Sequence, residues 1–297
     1  MSTSDPKLSV CLSFDFDATS VWIIEGSTNP AEISRGEFGP FALPRILEML
    51  RRHEIRSTFF VPGHTAVAYP DHVKAIVADG HEIGHHGWVH EYPPRLDLER
   101  EREAFERGLE ALDRVVGVRP LIYRCAEFSV HTINVLREFG MRYDSSCCGA
   151  DFTPYYLRQG DKWSTTGPYE FGETIDLVEM PFSWGLDDFP HLEFSAGWST
   201  EQSTPSAVRE IWQGEFDYAY AHVPGGMYPL CMHPQVIGRG SRLMMLEGLV
   251  EHFESHDGVA FEPLGEYAGR WAAANPVDKW LATNPVHAGA AQRAARA

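Results

Sequence analysis

No Cys-x-x-Cys pair occurs in the 297-residue chain, and its five cysteines, Cys11, Cys125, Cys147, Cys148 and Cys231, are odd in number and mostly set in strand-like apolar runs. This leaves little room for a thiolate zinc site or a thioredoxin-type redox pair, and the cysteines read as buried free thiols. No stretch reaches the roughly 18 apolar residues that a membrane helix needs. Residues 1–9, MSTSDPKLS, have neither the basic start nor the apolar run of a signal peptide. A cytoplasmic protein without membrane attachment is therefore expected. Positive charge is scarce too: 25 Lys and Arg against 42 Asp and Glu leave a net charge of −17, which argues against nucleic acid, anionic membranes and polyanionic substrates. No internal repeat and no low-complexity break divides the chain. One domain over residues 1–284 is expected, with residues 285–297 as a mobile tail.

What the chain does contain is a rhythm of short apolar runs alternating with amphipathic segments, the pattern of parallel strands joined by helices. Strands are expected at 8–16, 56–61, 81–86, 121–125, 142–147, 175–181, 227–232 and 258–263. Helices are expected at 43–53, 71–79, 97–116, 130–139, 205–221, 240–256 and 264–273. Seven or eight such units predict an α/β fold, a (β/α) barrel that is closed or slightly distorted and incompletely closed. The stretch 148–174, rich in Tyr, Trp and Gly, interrupts the rhythm and is long enough for a lid or a subunit contact.

Polar residues recur where those strands end. Val10–Thr19, VCLSFDFDAT, alternates like a buried strand and finishes with Asp15 and Asp17 on one face, a pair that needs water, a cation or hydrogen bonds in front of it. The second strand runs into His64, the third into HEIGHHGWVH, the fourth into Arg124 and Glu127, and the seventh into LCMHP with His233. The spacing His86-x-x-x-His90 can place two imidazoles on one ion. His81/His85 and His252/His256 share it, so with 14 histidines the spacing alone decides little. Position distinguishes the His86 pair, which directly follows a strand; turn histidines bonded to backbone are the other reading. Two histidines with a carboxylate suit zinc, or cobalt or nickel, and leave positions open for water.

The ordered strings SFDFDA, ISRGEFG, RSTFFVPGHT, GHEIGHHGWVHEYP, DFTPYYLRQGDKWS, DLVEMPFSWGLDD and CMHPQVIGR resemble the polysaccharide deacetylase family across about residues 8–270. The likeness is to its cytoplasmic branch, which includes peptidoglycan-deacetylase-like proteins and cyclic imide hydrolases. The resemblance implies a distorted (β/α) barrel and a metal-dependent hydrolase of non-peptide carbon–nitrogen bonds. It makes Asp15 the catalytic base, Arg124 its orienting cation and His233 the general acid. It makes Asp17, His86 and His90 the ligands of one divalent metal per chain, Zn2+ first and Co2+, Ni2+ or Mn2+ as alternatives. Trp88, Trp184, Glu127 and His64 are candidates for substrate contact, and Asp187 and Asp188 either touch substrate or are solvated. Three departures stand out: Phe16 separates the two aspartates, Gly87 stands where Ser or Thr is usual, and Cys125-Ala126 replaces a proline motif. The substrate implied is an N-acetylated amino sugar, with a small cyclic imide or ureide as the alternative; a non-catalytic sugar- or metal-binding barrel is a third reading. A homotetramer is the implied assembly.

Overall fold

The computed structural model of the protein describes residues 5–194, 202–289 and 292. Its strands are β1 (Leu8–Asp15), β2 (Thr58–Val61), β3 (Glu82–His85), β4 (Ile122–Tyr123), β5 (Tyr143–Asp144), β6 (Tyr155–Gln159), β7 (Glu173–Glu179), β8 (Gly226–Met232) and β9 (Val259–Phe261). They form one sheet in the order β6-β7-β5-β4-β3-β2-β1-β8, with β9 beside the first half of β1. The pairings of β1 to β5 and β7 to β9, eight strands, are parallel, and β6 joins β7 antiparallel. The two ends of the curled sheet meet without a full ladder. Met227 donates to the Phe152 carbonyl at 2.9 Å, and a single parallel bridge links Asp187 to Cys231. This is the distorted, incompletely closed barrel that the strand count predicts.

Alternation along β1 sorts its residues. Leu8, Val10, Leu12 and Phe14 join the large cluster that packs against the outer helices, whereas Cys11 belongs to the cluster holding Phe60, Ile122 and Tyr156. Ser9, Ser13 and Asp15 share the Cys11 face by the same period of two. That inner column is polar yet buried, so its groups are paired: Ser9 Oγ donates to Glu262 at 2.6 Å and Ser13 Oγ to the Leu230 carbonyl at 3.1 Å.

The helix expected at 43–53 is Pro30–Arg52, with Pro40 and Pro44 inside it. Asn29 caps it by accepting from the Ala31 N–H at 3.0 Å. Gly36, Gly39, Pro40, Leu43, Ile46, Leu47 and Leu50 bury one stripe at helical spacing, and that burial outweighs the hydrogen bonds the prolines forfeit. A Cβ on Gly36 would lie 2.3 Å from the Ala18 carbonyl oxygen, so only glycine lets this helix support the turn after β1. The helix expected at 97–116 is Leu98–Val116, opened by Asp97 accepting from Arg100 N–H and closed by Gly117 at φ +67°.

The stretch 148–174 is not a lid over the barrel mouth. It supplies β6 and a hairpin bridged at Lys162 and Glu170, and Tyr156 packs against Trp271 at 5.3 Å and Trp280 at 5.5 Å. An edge strand was hidden there because its aromatics face the helices Leu264–Ala274 and Val277–Thr283, the second of which the sequence pattern did not mark. Of the expected tail, Pro285–His287 form a short 3-10 turn and Gln292 donates to the Thr174 carbonyl at 2.9 Å; residues 290, 291 and 293–297 lie outside the described residues. Among the described residues no helix is long and apolar enough to cross a membrane.

One buried group outside the barrel mouth makes the fold sensitive to acid. His81 Nδ1 accepts the Ser57 N–H at 3.2 Å, and burial pulls the imidazole down from 6.5 to about 4. Between those values the unfolded chain takes up a proton that the folded chain refuses, so this contribution is complete above pH 6.5 and is lost as pH falls toward 4. Melting temperature is expected to drop across that window. His81→Asn, whose amide oxygen can take the same N–H without charging, should flatten the dependence, and equal slopes in the two proteins would contradict it.

Candidate active site

The carboxyl ends of the parallel strands converge on one cavity. Asp15 closes β1, and Asp17 follows it in a turn where Ala18 has φ +50°. His86 follows β3, Arg124 follows β4 and His233 follows β8, each at the end of a barrel strand where the fold leaves side chains free of the core. Asp17 and His90, on the turns after β1 and β3, face the same cavity. Val21, Tyr92, Phe182, Trp184 and Phe189 complete an apolar wall.

The turn that carries His90 is built from its own sequence. Glu91 accepts from the N–H of Trp88 at 2.9 Å and of Val89 at 3.1 Å. A Cβ at residue 87 would lie 2.6 Å from the Glu91 carboxylate, and Gly87 itself has φ +73°. The glycine that departs from the family pattern is thus the one residue that lets Glu91 fold under the turn. His90, at φ +64°, is held in a left-handed conformation that costs about 1–2 kcal/mol for a residue with a Cβ.

His86 Nδ1 donates to the Arg124 carbonyl at 2.6 Å, which leaves Nε2 with the lone pair, 3.4 Å from Asp17 and 3.6 Å from Asp15. Burial lowers both imidazoles, His90 to about 3, so both are held neutral. Both carboxylate oxygens of Asp17, His86 Nε2 and His90 Nδ1 are buried without a hydrogen-bond partner. Ligand atoms of Asp17, His86 and His90 lie within 4.8 Å of one another. Burial pushes the Asp17 carboxyl well up, a penalty that a cation between these donors would reverse. Buried atoms left without a hydrogen-bond partner in this way fit a divalent metal.

Asp15 is different. Burial would raise its carboxyl, but the Arg124 guanidinium, with the charged His233, outweighs that and holds it at about 2. Arg124 Nη1 donates to Asp15 at 2.8 Å and to Ser13 Oγ at 2.9 Å, and the rest of the guanidinium is fixed by the Ser145 carbonyl and hydroxyl, each at 2.9 Å. Cys231 Sγ sits 3.3 Å from the same nitrogen. Below, Glu179 accepts from the N–H of Ser146 and of Cys147, both at 2.9 Å, which shapes the turn presenting Ser145. On the opposite wall, burial alone would lower the His233 imidazole; the Asp187 and Asp188 carboxylates overcome it and raise it well above its usual value. Asp188 accepts from His233 Nδ1 at 2.7 Å and from its backbone N–H at 3.0 Å, so Nε2 faces the cavity, 3.6 Å from Asp17.

Of the four candidates for substrate contact, Trp184 lines the cavity, and Trp88, His64 and Glu127 do not. The left-handed turn at Gly87 sends Trp88 outward, under the Arg107 guanidinium at 3.7 Å and against the His64 ring at 5.9 Å. Glu127 is exposed, and its carbonyl accepts from the Cys125 thiol at 3.2 Å. The sequence left Asp187 and Asp188 undecided; both are buried against His233. Ser145 and Cys231 carried no signal, because their relevance depends on which strand lies next to which.

A polysaccharide deacetylase family model matches residues 6–143. A peptidoglycan deacetylase of Helicobacter pylori is 32% identical over 290 residues, covering 92% of this chain and 99% of that protein. The crystal structure of a candidate polysaccharide deacetylase from Mycobacterium smegmatis superposes with a TM-score of 0.80 at 33% identity, covering 92% of this chain and 93% of that one. An allantoinase structure has the same fold, with a TM-score of 0.78 at 22% identity and the same coverage. The chain belongs to the polysaccharide deacetylase family, and its relatives support a deacetylase function, the hydrolysis of a carbon–nitrogen bond.

Proposed function

We propose that this protein is a metal-dependent deacetylase that releases acetate from N-acetylated amino sugars, with Asp17, His86 and His90 holding one divalent cation, Zn2+ first among the metals that suit two imidazoles and a carboxylate. The observation that supports it most directly is the set of buried, unpartnered atoms on those three residues, flanked by Asp15 and His233. A cation held there supplies Lewis acidity, polarising the acyl oxygen and lowering the pKa of water from 15.7 toward about 7. Asp15, kept ionised by Arg124, accepts the proton of the attacking water as the new carbon–oxygen bond forms. His233, charged beside Asp187 and Asp188, delivers a proton through Nε2 to the nitrogen as the carbon–nitrogen bond breaks. The leaving amine needs that proton, since an amide nitrogen is a poor leaving group. The apolar wall of Phe182, Trp184 and Phe189 excludes bulk water and suits an acyl methyl.

The chemistry of the same groups supports a second reading: Asp15, His233 and a cation between them would also open a cyclic imide or ureide, with the nitrogen leaving one carbonyl and staying tethered through the other. The two are separated by comparing kcat/KM of the zinc-loaded enzyme on N-acetylglucosamine and its short oligomers with that on succinimide, dihydrouracil and hydantoin. Acetate release at least about tenfold more efficient than any ring opening is the expected result, a difference of about 1.4 kcal/mol in transition-state stabilisation. Ring opening without acetate release would replace the deacetylase reading by the second.

A further inference from the structure

We propose a second metal site on the outside of the barrel, formed by Asp217, His252 and His256 and suited to a borderline divalent transition metal such as Zn2+ or Ni2+. Asp217 lies on the helix Pro205–His222, His252 lies on the neighbouring helix Gly240–Glu254, and His256 follows just past its end. One ligand atom from each of the three lies within 4.8 Å of the other two. None of them lines the catalytic cavity.

The three side chains are held in place rather than merely close. His256 Nδ1 donates to the His252 carbonyl at 2.8 Å, so its Nε2 carries the lone pair, the arrangement that orients a ligating imidazole. His252 Nε2 lies 2.8 Å from Asp217 Oδ1. The two imidazole rings are 4.7 Å apart, and Phe216 packs against both, at 5.6 Å from His252 and 5.1 Å from His256. Tyr220 meets the His256 ring edge-on at 4.7 Å. These aromatic contacts restrict the rotamers that an ion would otherwise have to fix, which lowers the entropy cost of chelation. The side chain of Asp217 is 48% exposed and that of His252 22%, so an ion can enter from solvent and keep waters in its remaining positions. Two nitrogen donors and one carboxylate select zinc-like metals over Mg2+ and Ca2+, which require oxygen. The ion would tie two helices that already share the hydrophobic core through Trp212, Phe216, Leu249 and Phe253.

The test is a calorimetric Zn2+ titration of the metal-stripped full chain, its His252→Ala/His256→Ala variant and its His90→Ala variant. Two equivalents are expected in the parent and one in each variant, with hydrolytic turnover unchanged in the double variant reloaded with one equivalent. Asp217→Asn, an exposed and conservative change, is expected to weaken the outer site by at least about tenfold and leave the other equivalent unaffected. The melting temperature should also rise with the second equivalent of Zn2+ in the parent and with the first in His90→Ala, while Zn2+ beyond one equivalent leaves that of the double variant unchanged. If the parent binds one equivalent that survives in His90→Ala and vanishes in the double variant, the outer site stands and the catalytic metal is what fails. A second equivalent that persists in the double variant, or one unaffected by Asp217→Asn, would overturn the proposal and leave Asp217 and His252 as a hydrogen-bonded surface pair.

Discussion

His90→Ala is expected to release the cation from the catalytic cavity, with affinity falling by at least about a hundredfold, and to remove hydrolysis with it. The variant leaves Asp17 and His86, and two ligands do not fix a divalent ion against water. Folding should survive, because His90 sits on a turn at the barrel mouth and the turn's N–H groups are held by Glu91, not by the imidazole. Alanine also bears the left-handed φ of +64° at about the same cost as histidine, so the backbone strain does not change. Elemental analysis of the change made in the His252→Ala/His256→Ala background reads the outcome, with far-UV circular dichroism as the control for folding. Full occupancy of the cavity in His90→Ala would remove this residue from the ligand set.

Asp15→Asn should behave in the opposite way, keeping the metal and losing at least about a hundredfold in kcat. The asparagine oxygen can still accept from Arg124, so the geometry of the wall persists, but the proton acceptor is gone. A stability cost accompanies the change. Arg124 is buried and loses its charged partner, and breaking a buried ion pair from one side costs about 3–5 kcal/mol. The serines hold that cost below the upper end, since Ser13 and Ser145 still accept three of its hydrogen bonds. Turnover, metal content and melting temperature measured together distinguish the roles: near-normal kcat would exclude Asp15 as the base, and lost metal would make it a ligand.

Much of this site was legible because strand ends announce themselves. An Asp-x-Asp after an alternating apolar run, a His-x-x-x-His after another and a His-Pro after a third each mark the point where a buried strand meets solvent, and local pattern alone is enough to see it. The same period of two located β1, β2, β3 and β8 to within a few residues. Proline concealed the first half of Pro30–Arg52, because propensity describes an isolated helix and the burial of Gly36, Gly39 and Pro40 is a tertiary event. Trp88 and His64 misled for a related reason. An aromatic beside a candidate ligand histidine looks like a cavity wall, but the sign of φ at Gly87 decides which way the next side chain points.

The sequence by itself determined the barrel and its family, through ordered motifs each local to one strand and the turn after it, and the residues proposed to hold a cation follow from that resemblance. The tertiary structure supplies the physical reason for the division of labour proposed for them. Asp15 and Asp17 are two residues apart and chemically identical, yet Arg124, brought alongside from β4, holds one ionised, while burial without a partner pushes the other up toward its neutral form. Asp187 and Asp188 were ambiguous as a surface pair until the bridge to Cys231 carried them beneath His233, where two buried carboxylates keep that imidazole charged. A side chain's charge state in a dry cavity is set by neighbours that are near in space and distant along the chain, and the sequence does not name those neighbours.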